Sequence, residues 1–341
     1  MMSWQRRWFS SQVALFRKFV VVLALLSGGP LPLAHTNAEE TTARALVVAA
    51  MVDDVPIYVA EVEAALVDVI GEQDLPESRR VRLAVAMMEQ IVDQRIVLHH
   101  LRRRKLAASR HRVDAEVKHL AGRLKRRDSN LAEHLATRGI SEQALREEIH
   151  WRLSWQKHLD EQLTDERLAH HFDEHRRDFD GTRVRVSQIL LKATSEEEIA
   201  ERRAQLERLR EEIINGGREF AAAARELSEA PSRAAGGDLG LIARRGEMHE
   251  TIASAAFGLE PGELSRPLVT PHGVHLLQCT AVEPGEKTWR DVRDELRRAV
   301  THQLFAEIVE AERAQVAVRF TGAIAYRDPA SGRLIRPQPP R

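Results

Sequence analysis

Two places in this 341-residue chain hold residue types that could do chemistry. In His171-Phe-Asp-Glu174-His175, two histidines four apart share one face of a helix, where they can hold a metal ion with the glutamate as base. This H-x-x-E-H spacing is the zinc-peptidase reading of the chain. It lacks a clear third ligand, and among fifteen histidines, in an apparent connector between domains, a solvated polar helix face is the plainer reading. The second place is Cys279, the single cysteine, which leaves no intramolecular disulfide to form. Its setting in the apolar run Val274 to Cys279 reads as a small buried side chain rather than a reactive thiol.

The densest stretch runs from Leu227 to Cys279. Gly236, Gly237 and Gly240 bracket Asp238 and Leu239, a spacing that allows a tight turn in which backbone passes close to backbone. Pro261-Gly262 and His272-Gly273 then punctuate two β-type runs, Leu264 to Thr270 and Val274 to Thr280. The order GGDLG, a Met in a short helix, an Ala-Phe pair, PGE-Ser-Pro and a final Gly-x-His strand resembles the parvulin family of peptidyl-prolyl cis-trans isomerases over Arg183 to Glu283.

That resemblance implies an apolar slot for a proline ring and no cofactor, metal or nucleophile. Rotation about an X-Pro bond is opposed by a barrier of about 18–20 kcal/mol because amide resonance must be broken. Catalysis needs an apolar, water-poor slot and polar groups that fit the twisted amide better than the planar one. By resemblance Leu239, Met248 and Phe257 belong to the slot, with Ile252 where the family usually has Phe. The polar positions depart further from the pattern. Gln188 stands where the family's first strand carries His, His275 keeps the family's second His, Ala230 replaces an Asp or Cys facing the substrate carbonyl, and His272 replaces a small hydroxyl residue. Gln188 can still hydrogen-bond and orient His275, whereas Ala230 can replace no polar function. Two outcomes stay open: a weak isomerase and a parvulin-shaped binding module.

The elements that must position these residues follow from periodicity. Ala45 to Val52 and Val55 to Tyr58 read as two short strands around Asp53-Asp54. Helices follow, one with Val62, Ala65, Leu66 and Val69 ending at Gly71, and a longer one over Ser78 to Lys105 with Met88, Ile91, Val92 and Ile96 inward. More are expected over Asp114 to Arg127, over Leu131 to Thr137 and after Ser141, and a short one runs from Thr164 to Phe179. A strand over Arg183 to Leu191 precedes a capping box at Ser195-Glu-Glu-Glu198, a helix holding Phe220 to Leu227, and another over Glu250 to Phe257. The last long helix places Val292, Leu296, Val300, Leu304 and Ile308 four apart. It has nothing to bury against in a finished parvulin unit, so it is expected to return to the N-terminal helices, with Val316 to Phe320 pairing near Leu46 to Val52.

A strand pair followed by helices, lying between an export-like segment and a parvulin-like unit, resembles the N-terminal chaperone region of SurA-like and PrsA-like extracytoplasmic foldases. The expected class is α+β. The expected organisation is 1–38 signal peptide or anchor, 39–165 helical chaperone domain, 166–181 connector helix, 182–283 parvulin-like domain, 284–326 returning helix and strand, and 327–341 tail.

The N-terminus supplies the export reading. Arg6, Arg7, Arg17 and Lys18 precede the apolar run Phe19 to Leu26, which Ser27-Gly-Gly-Pro30 breaks. About eight apolar residues fall short of the roughly 20 that span a bilayer, and Thr36-Asn37-Ala38 offers a cleavage site. An uncleaved anchor helped by Leu31 and Leu33 is the alternative; either way the bulk of the chain is expected outside the cytoplasmic membrane, in a periplasm. With 51 basic and 51 acidic residues the chain has no net charge to draw it to nucleic acid, and an aromatic fraction of 5% argues against base-stacking platforms. By resemblance the partners are unfolded or proline-containing exported polypeptides, with membrane contact only through the N-terminal segment.

Overall fold

The structure is a computed structural model that describes residues 46–71, 73–246 and 248–336. The expected signal at 1–38 lies outside the described residues, as do the last five residues of the expected tail. Among the described residues no helix is long and apolar enough to cross a membrane. The chain is α+β and divides into two compact units: a split unit of 46–164 with 300–336, and a middle unit of 165–299. The boundaries fall at 164/165 and 299/300, so the segment 166–181 belongs to the middle unit and the last long helix is shared between the two.

In the split unit, β1 (Val48–Val52) turns back through Asp53, whose φ is 50°, into β2 (Val55–Tyr58). On its other edge β1 pairs antiparallel with β7 (Val318–Phe320), Val52 opposite Val318. Helix α1 (Val59–Ile70) lays Val62 and Leu66 on this sheet, while Ala60 and Ala64 face Val113 and Val117 of α3 (Arg110–Lys125) and Leu145 and Ile149 of α5 (Glu142–Gln162). Between α3 and α5, the short α4 (Leu131–Arg138) opens on a capping box at Asn130 and closes on Gly139.

Helix α2 (Glu77–Arg103) is buried on more faces than its spacing predicts. Met88, Ile91, Val92 and Ile96 do face the β1 core, yet Val97 and Leu101 are buried too, against Phe305 and Val309 of α11 (Arg293–Glu312). A helix covered from several sides loses the amphipathic stripe by which a one-sided helix is recognised. Trp151 and Trp155 of α5 stack at 5.5 Å between ring centroids and pack edge-on to Phe305.

The expected tail is a correction. Residues 326–335 form a hairpin, β8 (Tyr326–Arg327) with β9 (Leu334–Ile335), closed by an Asp328 turn that takes backbone N–H groups of Ala330 and Ser331. Tyr326 stacks on Phe320 at 4.6 Å and Arg327 pairs with Glu89 at 3.2 Å, so turn chemistry and a ring contact order the first residues of the expected tail.

In the middle unit, α6 (Asp165–Glu174) and α7 (Arg176–Phe179) replace the single helix expected from Thr164, because His175 breaks it at φ −124°. Four strands then form an antiparallel sheet in the order β4 (Asp238–Ala243), β3 (Arg183–Leu191), β6 (Gly273–Glu283), β5 (Leu268–Thr270). Side chains alternate between its faces. Ile189, Leu191, Val274 and Leu276 point to one face, under α8 (Glu196–Ile214) and α9 (Phe220–Leu227). Val184, Val186, Leu277 and Cys279 point to the other, under α10 (Glu250–Phe257). The capping box expected at Ser195 and Glu198 opens α8. Met248 precedes α10 rather than lying within a helix, which corrects the expectation of a Met in a short helix.

Candidate functional site

The two central strands of the middle unit bring the polar candidates together. Leu190 of β3 lies opposite His275 of β6, and Gln188 lies opposite Leu277, so Gln188 and His275 sit diagonally on the α10 face of the sheet. Their side chains meet: His275 Nδ1 is 3.1 Å from Gln188 Oε1. On the other side of the ring, Nε2 is 2.8 Å from the Thr270 hydroxyl of β5, which also accepts the His272 backbone N–H at 3.1 Å. His275 is 5% exposed. With the amide oxygen only able to accept, the proton resides on Nδ1 and Nε2 accepts from Thr270, a neutral ring fully satisfied. Burial, reinforced by the neighbouring His272 and His249, holds His275 down at a pKa of about 4.

The backbone around Gln188 is fixed by a close approach. Gly237 has φ +88° and its carbonyl accepts the Gln188 N–H at 2.9 Å. A Cβ on Gly237 would stand 2.4 Å from the Gln188 carbonyl oxygen, so no other residue fits there without moving β3.

Beside this network lies an apolar cluster. Ile252 and Phe257 of α10 are buried against Leu277 and Val186, with Met248 and Leu268 packed on the same group. Leu239, the fourth apolar candidate, is half-buried on β4 and lies outside that cluster. His272 is exposed in the β5–β6 turn, three residues from His275. Ala230 is buried: the segment Ser228 to Ala230 lies along the end of β3, with Glu229 N–H donating to the Leu190 carbonyl at 2.8 Å and the Ser228 hydroxyl accepting the Leu190 N–H at 3.2 Å. No polar side chain stands at that position.

Two residues of the site escape sequence reasoning. Thr270 holds the second nitrogen of His275; its signal was its place two residues before the His272-Gly273 turn, which folds it back over β6. His249 caps α10, its Nδ1 accepting the Thr251 N–H at 3.3 Å; its signal was a polar residue directly before Glu250-Thr-Ile. Cys279 is buried, and burial raises its thiol pKa, so it is held as the thiol.

The H-x-x-E-H motif is not assembled as a metal centre. His171 and His175 do approach, with ring centroids 4.6 Å apart, but His175 lies past the end of α6 and Glu174 pairs with His170 at 3.4 Å. Among the described residues no group of three or more His, Cys, Asp or Glu side chains is placed to hold a metal ion.

Comparison with known proteins places the same segment in a family. Residues 188–281 match the Rotamase family model, described as the PPIC-type PPIase domain. The chain is 36% identical to the chaperone SurA of Cupriavidus pinatubonensis over 144 residues, 41% of this chain and 28% of that protein. It is 32% identical to the foldase protein PrsA of Bacillus subtilis over 148 residues, 43% of this chain and 46% of that protein. It therefore spans less than half the length of either relative. A crystal structure of PrsA from Bacillus anthracis overlaps 67% of this chain and 96% of its own at 19% identity and a TM-score of 0.36. The matched segment contains Gln188, Ala230, Leu239, Met248, Phe257, Thr270 and His275, and the chain thus carries a parvulin-type PPIase domain of the kind found in SurA and PrsA proteins.

Proposed function

We propose that the middle unit isomerises X-Pro bonds in unfolded polypeptides, and that the chain works outside the cytoplasmic membrane as a foldase whose split unit holds its clients. The observation that carries this reading is His275, held neutral between Gln188 and Thr270 at 3.1 and 2.8 Å, next to the Met248, Ile252 and Phe257 cluster. Both ring nitrogens are engaged, so His275 is no general base. Isomerisation breaks no covalent bond and moves no proton, and asks for none. Half-buried Met248, backed by the buried Ile252 and Phe257, would receive the pyrrolidine ring and shed water from the amide, which disfavours its charge-separated planar form. The rigid polar network beside it would favour the twisted form, in which the amide nitrogen regains its lone pair.

Export is supported by the charged and apolar N-terminal pattern, and the foldase reading by the names of the relatives. A protease-coupled proline isomerisation assay tests the catalytic half. His275→Ala and Met248→Ala are expected to slow turnover by about tenfold or more, a loss of about 1.4 kcal/mol or more of transition-state stabilisation. Equal rates in all three proteins would remove it.

A second reading, a parvulin-fold holdase with little turnover, is favoured by Ala230 and Gln188, where the polar side chain facing the substrate carbonyl and one of two histidines are missing. It predicts that the full chain suppresses aggregation of an unfolded client equally well with Phe257→Ala or Met248→Ala. Loss of protection in those variants would count against it.

A further inference from the structure

We propose that the corner where α2 passes into α3 in the split unit is a docking surface for a bilayer bearing anionic lipid headgroups, with Arg104, Lys105, Arg110 and Arg112 as its cations. This goes beyond the isomerase and does not rest on it. It adds a second membrane contact to the one expected from the N-terminal segment.

The surface begins in the sequence. Between Asp93 and Asp114 there is no acidic residue, while seven Arg and Lys side chains stand there, in a chain whose net charge is zero. The fold uses three of them: Arg95 pairs with Glu61 at 2.6 Å, Arg102 with Glu147 at 2.8 Å and Arg103 with Glu312 at 2.6 Å. The side chains of the other four, Arg104, Lys105, Arg110 and Arg112, are exposed and make no ion pair or hydrogen bond among the described residues. Only Leu106 to Ser109 separate the two pairs, so they stand within about 18 Å of each other. The first acids of α3 are taken elsewhere, Asp114 by Arg146 at 2.6 Å and Glu116 by Arg152 at 3.1 Å.

These charges sit where the backbone disfavours them. Arg110, His111 and Arg112 form the first turn of α3 with no acid among them, against the positive end of the helix dipole. Lys105 holds φ at 58° just past the end of α2, a position that glycine fills at less cost. Cations kept against local preference at two adjoining positions point to a role other than folding.

The corner is also clamped and flanked by indoles. The Ala108 N–H donates to the buried Ser154 hydroxyl at 2.9 Å, His150 donates its Nε2–H to the Ala108 carbonyl at 3.0 Å, and Lys157 donates to the Leu106 carbonyl at 3.2 Å, so α5 fixes the loop. Trp151 and Trp155 bracket Ser154 on α5 and stay partly accessible, as does Leu106. Cations beside partly exposed indole rings suit a surface that passes from charged headgroup to hydrocarbon within a short depth. A nucleic-acid strand asks instead for a charged groove with stacking faces along it. Successive residues of a helical turn point about 100° apart, so these cations fan around a helix end rather than line a groove. An acidic polypeptide would satisfy the cations and leave the indoles unused.

The test uses the full chain with vesicles of phosphatidylcholine alone and vesicles with equal parts of phosphatidylglycerol, flotation giving affinity and hydrogen exchange the place of contact. Mixed vesicles are expected to slow exchange of the amides of residues 104–113 in the wild-type chain, and phosphatidylcholine alone to leave them unchanged. In the variant R104Q, K105Q, R110Q and R112Q that protection is expected to vanish, with affinity for mixed vesicles down about fivefold for each cation removed. The variant R79Q, R80Q, R82Q and R298Q, which removes the same charge from exposed side chains elsewhere, is expected to keep the protection. R110E with R112E is expected to lose it while melting at a higher temperature, because acids favour a helix N-terminus, which separates a lost surface from a lost fold. The proposal is overturned by wild-type exchange at 104–113 that mixed vesicles leave unchanged, or by equal loss of protection in both quadruple variants. Protection of that segment by inorganic phosphate or poly-glutamate but not by vesicles would overturn it as well.

Discussion

Gln188 Oε1 accepts the Nδ1 proton of His275 across 3.1 Å, and that single contact sets the tautomer of a ring buried in the sheet. The amide cannot take up charge, so the pair stays neutral where a carboxylate would have made it ionic. Substituting Gln188→Glu is expected to raise the His275 pKa from about 4 by at least about one unit, since an opposite charge in contact favours the protonated ring. The chemical shift of the His275 ring proton against pH reads this directly, and an unchanged midpoint would refute the contact.

Removing the partner on the other side is expected to cost stability. Thr270→Val leaves His275 Nε2 buried without a donor, at about 1–3 kcal/mol, whereas Thr270→Ser keeps the hydroxyl and most of the stability. Denaturant melts followed by hydrogen exchange of the β3 and β6 amides distinguish the two.

The two units are expected to respond to pH with opposite slopes. In the middle unit, His275 has its pKa lowered from 6.5 to about 4, so the unfolded chain binds a proton that the folded chain refuses. Its contribution is therefore complete above pH 6.5 and is lost as the pH falls to 4, by about 3 kcal/mol. His275→Gln is expected to flatten that dependence.

In the split unit the sign reverses. Asp93 is buried and pairs with Arg313 at 2.8 Å, yet burial outweighs the guanidinium and raises its pKa from 3.8 to about 7. Stability from this group is complete below pH 3.8 and is lost as the pH rises through 7. Asp93→Asn is expected to remove the loss. Arg313→Ala, which strands the carboxylate, is expected to cost about 1–3 kcal/mol at neutral pH, less than for a fully buried pair because Arg313 is 39% exposed. Hydrogen exchange of the α2 amides across the pH range checks both.

Gly237→Ala is expected to be among the most damaging single-methyl changes in the middle unit. The new Cβ would meet the Gln188 carbonyl at 2.4 Å with φ at +88°, so β3 and β4 must part. A loss of about 1–3 kcal/mol, with displaced Gln188 and His275 resonances, is the expected outcome, and a neutral melt would overturn it.

Much of the scaffold was legible in the chain because it is written locally. The capping box at Ser195 and Glu198, the glycine turn before β4, and the α10 span Glu250 to Phe257 each depend on a few neighbouring residues and were read from them. The reading failed where burial comes from elsewhere. Val97 and Leu101 look surplus until α11 covers them, and the hairpin of β8 and β9 looks like a tail until Tyr326 stacks on Phe320.

The sequence by itself determined most of the elements, their order and the apolar residues of the α10 face, because periodicity and turn chemistry are properties of short segments. Tertiary structure alone decided the chemistry of the site. Gln188 and His275 are 87 residues apart, and only the antiparallel register of β3 and β6 makes them one hydrogen-bonded pair. The pairing of β5 with β6 brings Thr270 to the other nitrogen, and it is the burial of the ring, a property no local pattern carries, that keeps His275 neutral.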